Sequence, residues 1–204
     1  IPCLLIPMTV AAFALGVPAL TLGRWLIFGG LGIWRLDAIG AALLDTLQLC
    51  VIGGAATSLA AIPVAWRSDR EPTPGNRMLE GCYYLASAMP GVVVALALVT
   101  LTVRVALPFY QTTATIVLAY VIMFLPRALI SLRTSIAQAP VELEQAAASL
   151  GRSPPNALWS ITIRLAAPGL AAGMALASLG IMNELTATQM LAPNGTRTLA
   201  MAFW

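Results

Sequence analysis

Five stretches of this chain, at about 3–22, 41–65, 83–103, 112–132 and 165–183, run almost without charge. A helix that crosses the hydrocarbon core of a bilayer needs about 20 predominantly apolar residues, and each stretch is close to that length. Charged residues make up 9% of the chain, against about 25% in an ordinary soluble domain. Eleven basic and eight acidic side chains are too few to cover a water-facing surface. In lipid, each backbone N–H and C=O must be satisfied within the structure, so apolar runs of this length are helices. The expected fold is all-α: a polytopic transmembrane helical bundle of about five spans, forming one domain over residues 1–204.

The rest of the composition excludes chemistry. All eleven basic residues are arginine, and the chain has neither lysine nor histidine. A P-loop needs a lysine on the phosphates, so ATP is not hydrolysed here by that route. Histidine triads, histidine zinc sites and imidazole acid–base work are excluded as well. With no paired carboxylates to serve a reaction, an intramembrane enzyme is disfavoured, and no catalytic residue, metal or bound cofactor is expected. Cys3, Cys50 and Cys82 lie far apart in or beside apolar runs and read as small buried hydrophobes. The net charge of +3 comes from arginines that flank the apolar runs, so it points to a membrane and not to nucleic acid.

Orientation follows from those arginines. The segment 66–77, WRSDREPTPGNR, is polar and rich in turn formers and is expected to be a loop. Residues 23–40 hold Arg24, Trp25, Trp34, Arg35 and Asp37, which suits an interfacial stretch with aromatic anchors. If 66–80 and 127–164 share a side, that side carries Arg67, Arg70, Arg77, Arg127, Arg133, Arg152 and Arg164. Arg24, Arg35, Arg104 and Arg197 fall on the other, so the first side is expected to be cytoplasmic. The tail from Glu184 to Trp204 is then expected at or near the outer surface.

Residues 139–163 sit on the arginine-rich side and read as two short helices around a sharp stop. Pro140 is tolerated in a first turn, and Glu142 and Glu144 complement the positive end of the helix dipole. Leu143, Ala147 and Leu150 make an apolar stripe, while Glu142, Gln145 and Ser149 share another face. Gly151 is placed to end the helix. Ser153 and Pro154 start a second helix, to about Ile163, that leads directly into the fifth span. Such a segment is either a docking element for another protein or a loop lying on the headgroups.

Polar and helix-breaking residues inside the spans are the pathway candidates. Pro90-Gly91 interrupts the third span, as a break lining a pathway or as a packing kink. Glu184, beside Asn183, closes the fifth span, either as a gate near the outer side or as an interfacial acid. Asp45 and Gln48 give the second span a polar face, for a pathway or for helix-to-helix hydrogen bonds. Gly169, Gly173 and Ala177 recur every four residues and permit close helix contact, within one subunit or across a dimer seam.

The stretch ELEQAAASLGRSPPNALWSITIRLAAPGLAAG (142–173) resembles the EAA loop of bacterial ABC-importer permeases, whose pattern is EAA, three residues, glycine, nine residues, I-x-L-P. Anchored on Gly151, Gln145-Ala146-Ala147 take the EAA positions and Ile161 and Ile163 the I and L, while Arg164 stands at the motif proline. The stretches at 83–99, 119–132 and 183–204 look like the third span, the fourth span and the post-fifth-span segment of the ferric-iron subgroup. The resemblance implies a type I ABC-importer permease fold in the bacterial cytoplasmic (inner) membrane. It implies that Glu142, Glu144, Gln145, Ala146, Ala147, Leu150 and Gly151 belong to a coupling helix gripped by a dimer of ATPase subunits, which hold ATP and magnesium. It further implies a second permease copy or repeat and an extracytoplasmic substrate-binding protein. Iron is the implied cargo, with thiamine, polyamine, molybdate or phosphonate as alternatives. A secondary transporter without an ATPase is the rival from another class, and it predicts charged coupling sites at mid-membrane and no docking helix. Ile1 already lies in an apolar run, and the resemblance implies a sixth span after Trp204. The sequence is therefore expected to be a piece of a longer permease, truncated or half of a fused two-repeat chain.

Overall fold

A computed structural model describes residues 2–30, 35–70 and 73–204, with side chains from Leu5 onward. Trp34, the Cys3 side chain and residues 71–72 of the expected loop lie outside the described residues. Every regular element among the described residues is helical, as the apolar runs require.

Residues 1–40 form one compact unit, and residues 41–204 a second. The first unit is essentially helix α1 (Pro2–Gly29), which carries Pro7 and Pro18 in its interior. It is apolar all round, with Phe13, Leu20, Ile27 and Phe28 exposed, and the Arg24 guanidinium lies 5.6 Å from the Phe28 ring centroid.

The second unit holds the remaining helices, apart from the first residues of the next one, up to Gly40, which fall in the first unit. Helix α2 runs from Leu36 to Arg70. The expected loop at 66–77 is therefore short: α2 continues through Arg67 and Arg70, whose charges suit the negative end of its dipole. Helix α3 (Pro74–Ser87) then begins behind Thr73, whose hydroxyl accepts from the Asn76 N–H at 3.3 Å, with Pro74 in the first turn.

The expected third span is not one helix. Residues 83–103 divide between α3 and α4 (Gly91–Val105), which meet at 103°. Pro90 has no N–H to continue the ladder and takes an extended conformation, φ −58° and ψ 140°. A 3₁₀ turn at Leu107–Phe109 leads to α5 (Thr113–Ala137), which keeps Pro126 in its interior. Helices α6 (Val141–Ser149) and α7 (Pro154–Ala157), a π-helical stretch (Leu158–Thr162) and α8 (Ile163–Leu165) follow. Helix α9 (Ala167–Met182) is turned 74° from this segment at Ala166, so the second short helix enters the fifth span through a bend. Helices α10 (Thr186–Leu191) and α11 (Leu199–Ala202) complete the unit. Among the described residues, three helices are long and apolar enough to cross a membrane, or five if each bent pair is one crossing.

The pairing of α5 with α9 is the most extensive contact between these helices. The small-residue face of α9 is used here, within the subunit. A Cβ on Gly173 would lie 3.1 Å from the Ala128 backbone, and one on Gly169 would strike the Ser135 side chain. Between helices in lipid the attraction is van der Waals contact, which such residues maximise. Helix α2 joins through a reciprocal bond pair: the Ser178 hydroxyl donates to the Cys50 carbonyl at 2.9 Å, and the Cys50 thiol to the Ser178 carbonyl at 3.4 Å. Cys50 is buried as expected, but Cys82 is exposed, because no side chain of α3 is fully buried.

The start of the tail packs into the bundle, while Phe203 and Trp204 are exposed. Ala187, Thr188 and Leu191 of α10 are buried with Leu98 of α4 and Tyr120 of α5. Their side chains are apolar or hydrogen-bonded.

Candidate functional site

The α6 segment is built from its ends inward. Its C-terminus is a Schellman turn: the Arg152 N–H donates to the Ala147 carbonyl and the Gly151 N–H to the Ala148 carbonyl, both at 3.0 Å. Gly151 has φ +82°, a left-handed conformation that costs other residues roughly 1–2 kcal/mol. At the other end Pro140 stands just before the helix, and Glu142 and Glu144 fall in the first turn.

The expected apolar stripe is only partly used. Ala147 is buried, but Leu143 is half-exposed and Leu150 is 85% exposed. Helix α6 has nine residues and rests on α7 and the π-helical stretch, so one side is covered and the Schellman turn carries Leu150 outward. Glu142, Gln145, Ala146 and Gly151 are exposed too, leaving a small polar surface.

Glu144 faces inward, and its partners were not foreseen. The Arg70 guanidinium meets it with Nη2 at 3.0 Å and Nε at 3.3 Å from Oε1. The Thr162 hydroxyl, fully buried in the π-helical stretch, donates to the same oxygen. Arg70 Nη2 also reaches the Ala139 carbonyl just beyond α5 at 3.0 Å, and Nη1 reaches Asp69 Oδ2 at 2.9 Å. The Arg70 and Glu144 side chains are 11% and 15% exposed, so the pair is largely closed to solvent. A π-helical turn takes up an extra residue and changes which side chains face a neighbour. That shift is invisible to a helical wheel, so Thr162 could not be read from spacing. A second ion pair, Arg133 with Glu80, ties α5 to α3.

A different cluster forms where α4 begins. A Cβ on Gly91 would lie 2.7 Å from Glu184 Oε1, 2.9 Å from Thr186 Oγ1 and 3.0 Å from Met123 Cε. The same Glu184 oxygen accepts from the Thr186 hydroxyl at 2.7 Å and from the Ala187 N–H at 2.9 Å, at the start of α10. Thr188 donates to the Glu184 carbonyl at 2.7 Å, so the Tyr120 hydroxyl, 2.7 Å from Thr188 Oγ1, donates to it in turn. Met123 lies ten residues into α5, about 15 Å along its axis at 1.5 Å per residue.

Pro90, Gly91 and Glu184 are thus brought together. Asn183, exposed beside them, donates to the Leu179 carbonyl of its own helix. Asp45 and Gln48 belong elsewhere. Asp45 Oδ2 accepts from the Arg197 N–H at 2.9 Å, and the neighbouring Thr46 hydroxyl accepts from the Leu199 N–H at 2.8 Å. These two bonds strap the chain before α11 to α2, while Gln48 is exposed. Arg127, counted in the sequence with the cytoplasmic arginines, lies ten residues before the end of α5, with its guanidinium 5.0 Å from the Phe124 ring centroid. Gly180 of α9 leaves room for both side chains.

Residues 58–204 match the family described as binding-protein-dependent transport system inner membrane component. The chain belongs to that family. Among its relatives, the Fe(3+)-transport system permease protein FbpB 2 of Haemophilus influenzae is 34% identical over 94% of this chain and 38% of its own length. The trehalose transport system permease protein SugB of Mycobacterium tuberculosis is 27% identical over 76% of this chain and 56% of its own. The molybdenum transport system permease protein ModB of Haemophilus influenzae is 28% identical over 71% and 69%. The chain spans less than two thirds of the first two. In this family of membrane-embedded transport components, an all-α bundle with three to five candidate spans is the fold described above.

Proposed function

We propose that this chain is the permease part of an ATP-driven importer in the bacterial inner membrane, and that α6 is where a separate ATPase subunit grips it. The observation that carries the reading is the build of α6. Glu144 and Ala147 hold it from beneath, while Glu142, Gln145, Ala146 and Leu150 stand free and Gly151 ends it abruptly. A loop lying on headgroups has no need of a Schellman stop and a buried ion pair.

In this mechanism ATP and magnesium are held by the ATPase dimer. Its closure draws α6 with it, and the displacement reaches α9 through α7 and α8 and reaches α5 through Ala139. The pathway runs beside Pro90, Gly91, Asn183 and Glu184, where a broken helix and a carboxylate meet. Asp45 and Gln48 then stand away from it, Asp45 as a fastening for the tail. A second permease copy or repeat completes the pathway, and an extracytoplasmic binding protein delivers the cargo. The name of the ferric-iron relative supports iron as that cargo, and the names of the trehalose and molybdenum relatives keep other small solutes as the alternative.

The test is co-purification of the full-length protein with its cognate ATPase in detergent, comparing Gly151→Val with Gly151→Asn. Asparagine tolerates the left-handed conformation and valine does not. The expected result is that the Asn variant keeps the ATPase and the Val variant loses it. Wild type that holds no ATPase sinks the importer reading in favour of an ATPase-independent transporter.

A further inference from the structure

Four elements converge on one ion pair, and one of them, α2, is distant in the chain from the other three. Arg70 brings the end of α2, its Nη2 bond to the Ala139 carbonyl brings the end of α5, Glu144 brings α6, and Thr162 brings the π-helical stretch. Arg70 and Glu144 are 74 residues apart, and no backbone connects α2 directly to α6. The guanidinium meets a single carboxylate oxygen with two donors, and the Thr162 hydroxyl occupies the same oxygen. Charge-assisted bonds of this kind fix distance and direction together.

We propose that the Arg70–Glu144 pair is the link through which α2 follows every displacement of α6, with Arg70 as a positioning residue. This inference rests on the reading of α6 as the ATPase-gripped helix. Moving α6 without α2 would leave the Glu144 carboxylate without its charged partner in a place largely closed to water, while Arg70 kept only Asp69 of its own helix. Burying an unpaired charge is strongly disfavoured. Moving both keeps the pair intact. Helix α2 carries the displacement further, because Cys50 is bonded to Ser178 of α9 and Gly53 lies against Ile181 and Tyr120. Tyr120 in turn holds Thr188 and, through it, the Glu184 carbonyl. A continuous set of contacts thus runs from the docking helix to the break at Gly91 by way of α2, independent of the route through α7 and α8. The residue at the motif position, Gln145, is left outside the link and free for a partner, while Glu144 faces in. This division of work between neighbouring residues is the physical meaning of the Glu-Gln pair in this sequence.

The test bridges the two positions reversibly. Arg70→Cys and Glu144→Cys are introduced into the full-length protein with Cys3 and Cys82 replaced and with Cys50→Ser, which keeps a donor for the Ser178 carbonyl. The protein is assembled with its cognate ATPase and binding protein in liposomes. A short bis-methanethiosulfonate reagent closes the bridge and dithiothreitol opens it. Three quantities are read: ATPase retained on the permease, basal hydrolysis, and hydrolysis stimulated by loaded binding protein. In the unbridged protein stimulation, taken per ATPase retained, is expected to fall about tenfold, within the range that substitutions along a coupling route produce. Closing the bridge restores stimulation to within about twofold of the parent, and reductant abolishes it again. Because one sample is switched both ways, misfolding cannot produce this pattern. Stimulation that is undiminished in the unbridged protein overturns the link, and so does a bridge that fails to restore it. A parent protein that holds no ATPase removes the docking reading itself, a different failure that the first quantity reveals.

Discussion

At the α6 end of the bundle four elements meet on a charged pair, whereas at the start of α4 three elements meet on a glycine, hydroxyls and one carboxylate. The first junction uses the strongest contacts available to side chains and leaves its outer surface plain. The second uses close approach: Gly91 gives Glu184, Thr186 and Met123 the space a side chain would fill, and the Glu184 oxygen is spent on the first turn of α10. One junction resists being pulled apart, and the other resists being filled. That contrast suits a molecule that is moved from one end and has to open somewhere else.

The sharpest way to break the comparison is at neighbouring residues. Glu144→Ala removes the oxygen that takes the Arg70 and Thr162 donors, leaves Arg70 to Asp69 and the Ala139 carbonyl, and is expected to destabilise the protein by about 2 kcal/mol. Gln145→Ala, one residue away and exposed, is expected to change stability by no more than about 0.5 kcal/mol. Thermal unfolding in detergent of both variants measures the difference, and equal effects would mean that Glu144 is not held as described. At the other junction, Gly91→Val pushes a branched side chain into Glu184 Oε1 and Met123. Overpacking of this kind costs about 1–3 kcal/mol, and solute uptake should fall with it while ATPase binding is unchanged. An uptake equal to wild type would show that the α4 break has room to spare.

Much of the bundle was legible in the sequence because the bilayer enforces it. Long apolar runs with few charges have one solution, and the small residues of α9 announced a close partner, though not that the partner was α5. The α6 stop was legible for a local reason: a glycine at the end of a short amphipathic run, followed by Ser-Pro-Pro, specifies its own turn. The contacts of Glu144 were not legible, since they depend on where the end of α2 lies and on the phase shift of the π-helical stretch. The 103° turn at Pro90 was signalled as an interruption, but a proline in an apolar run is as compatible with a kink as with a full break. Asp45 and Glu184 looked alike as lone acids in apolar surroundings. Only tertiary structure separates the one that straps the tail from the one beside the α4 break.

A smaller effect sharpens the second junction further. Glu184→Gln keeps an acceptor oxygen for Thr186 and Ala187 and removes the charge. Its stability change is expected to stay under about 1 kcal/mol. A loss of uptake that exceeds the loss of stability would then report on the charge itself, read by radiolabelled solute entry into proteoliposomes.

The bend at Ala166 works as an elbow. With α9 standing at 74° to the short arm before it, a thrust along that arm points mostly across α9 and hardly along it. In the proposed mechanism the helix is therefore asked to swing and not to slide, so the glycine steps that nest it against α5 keep their register.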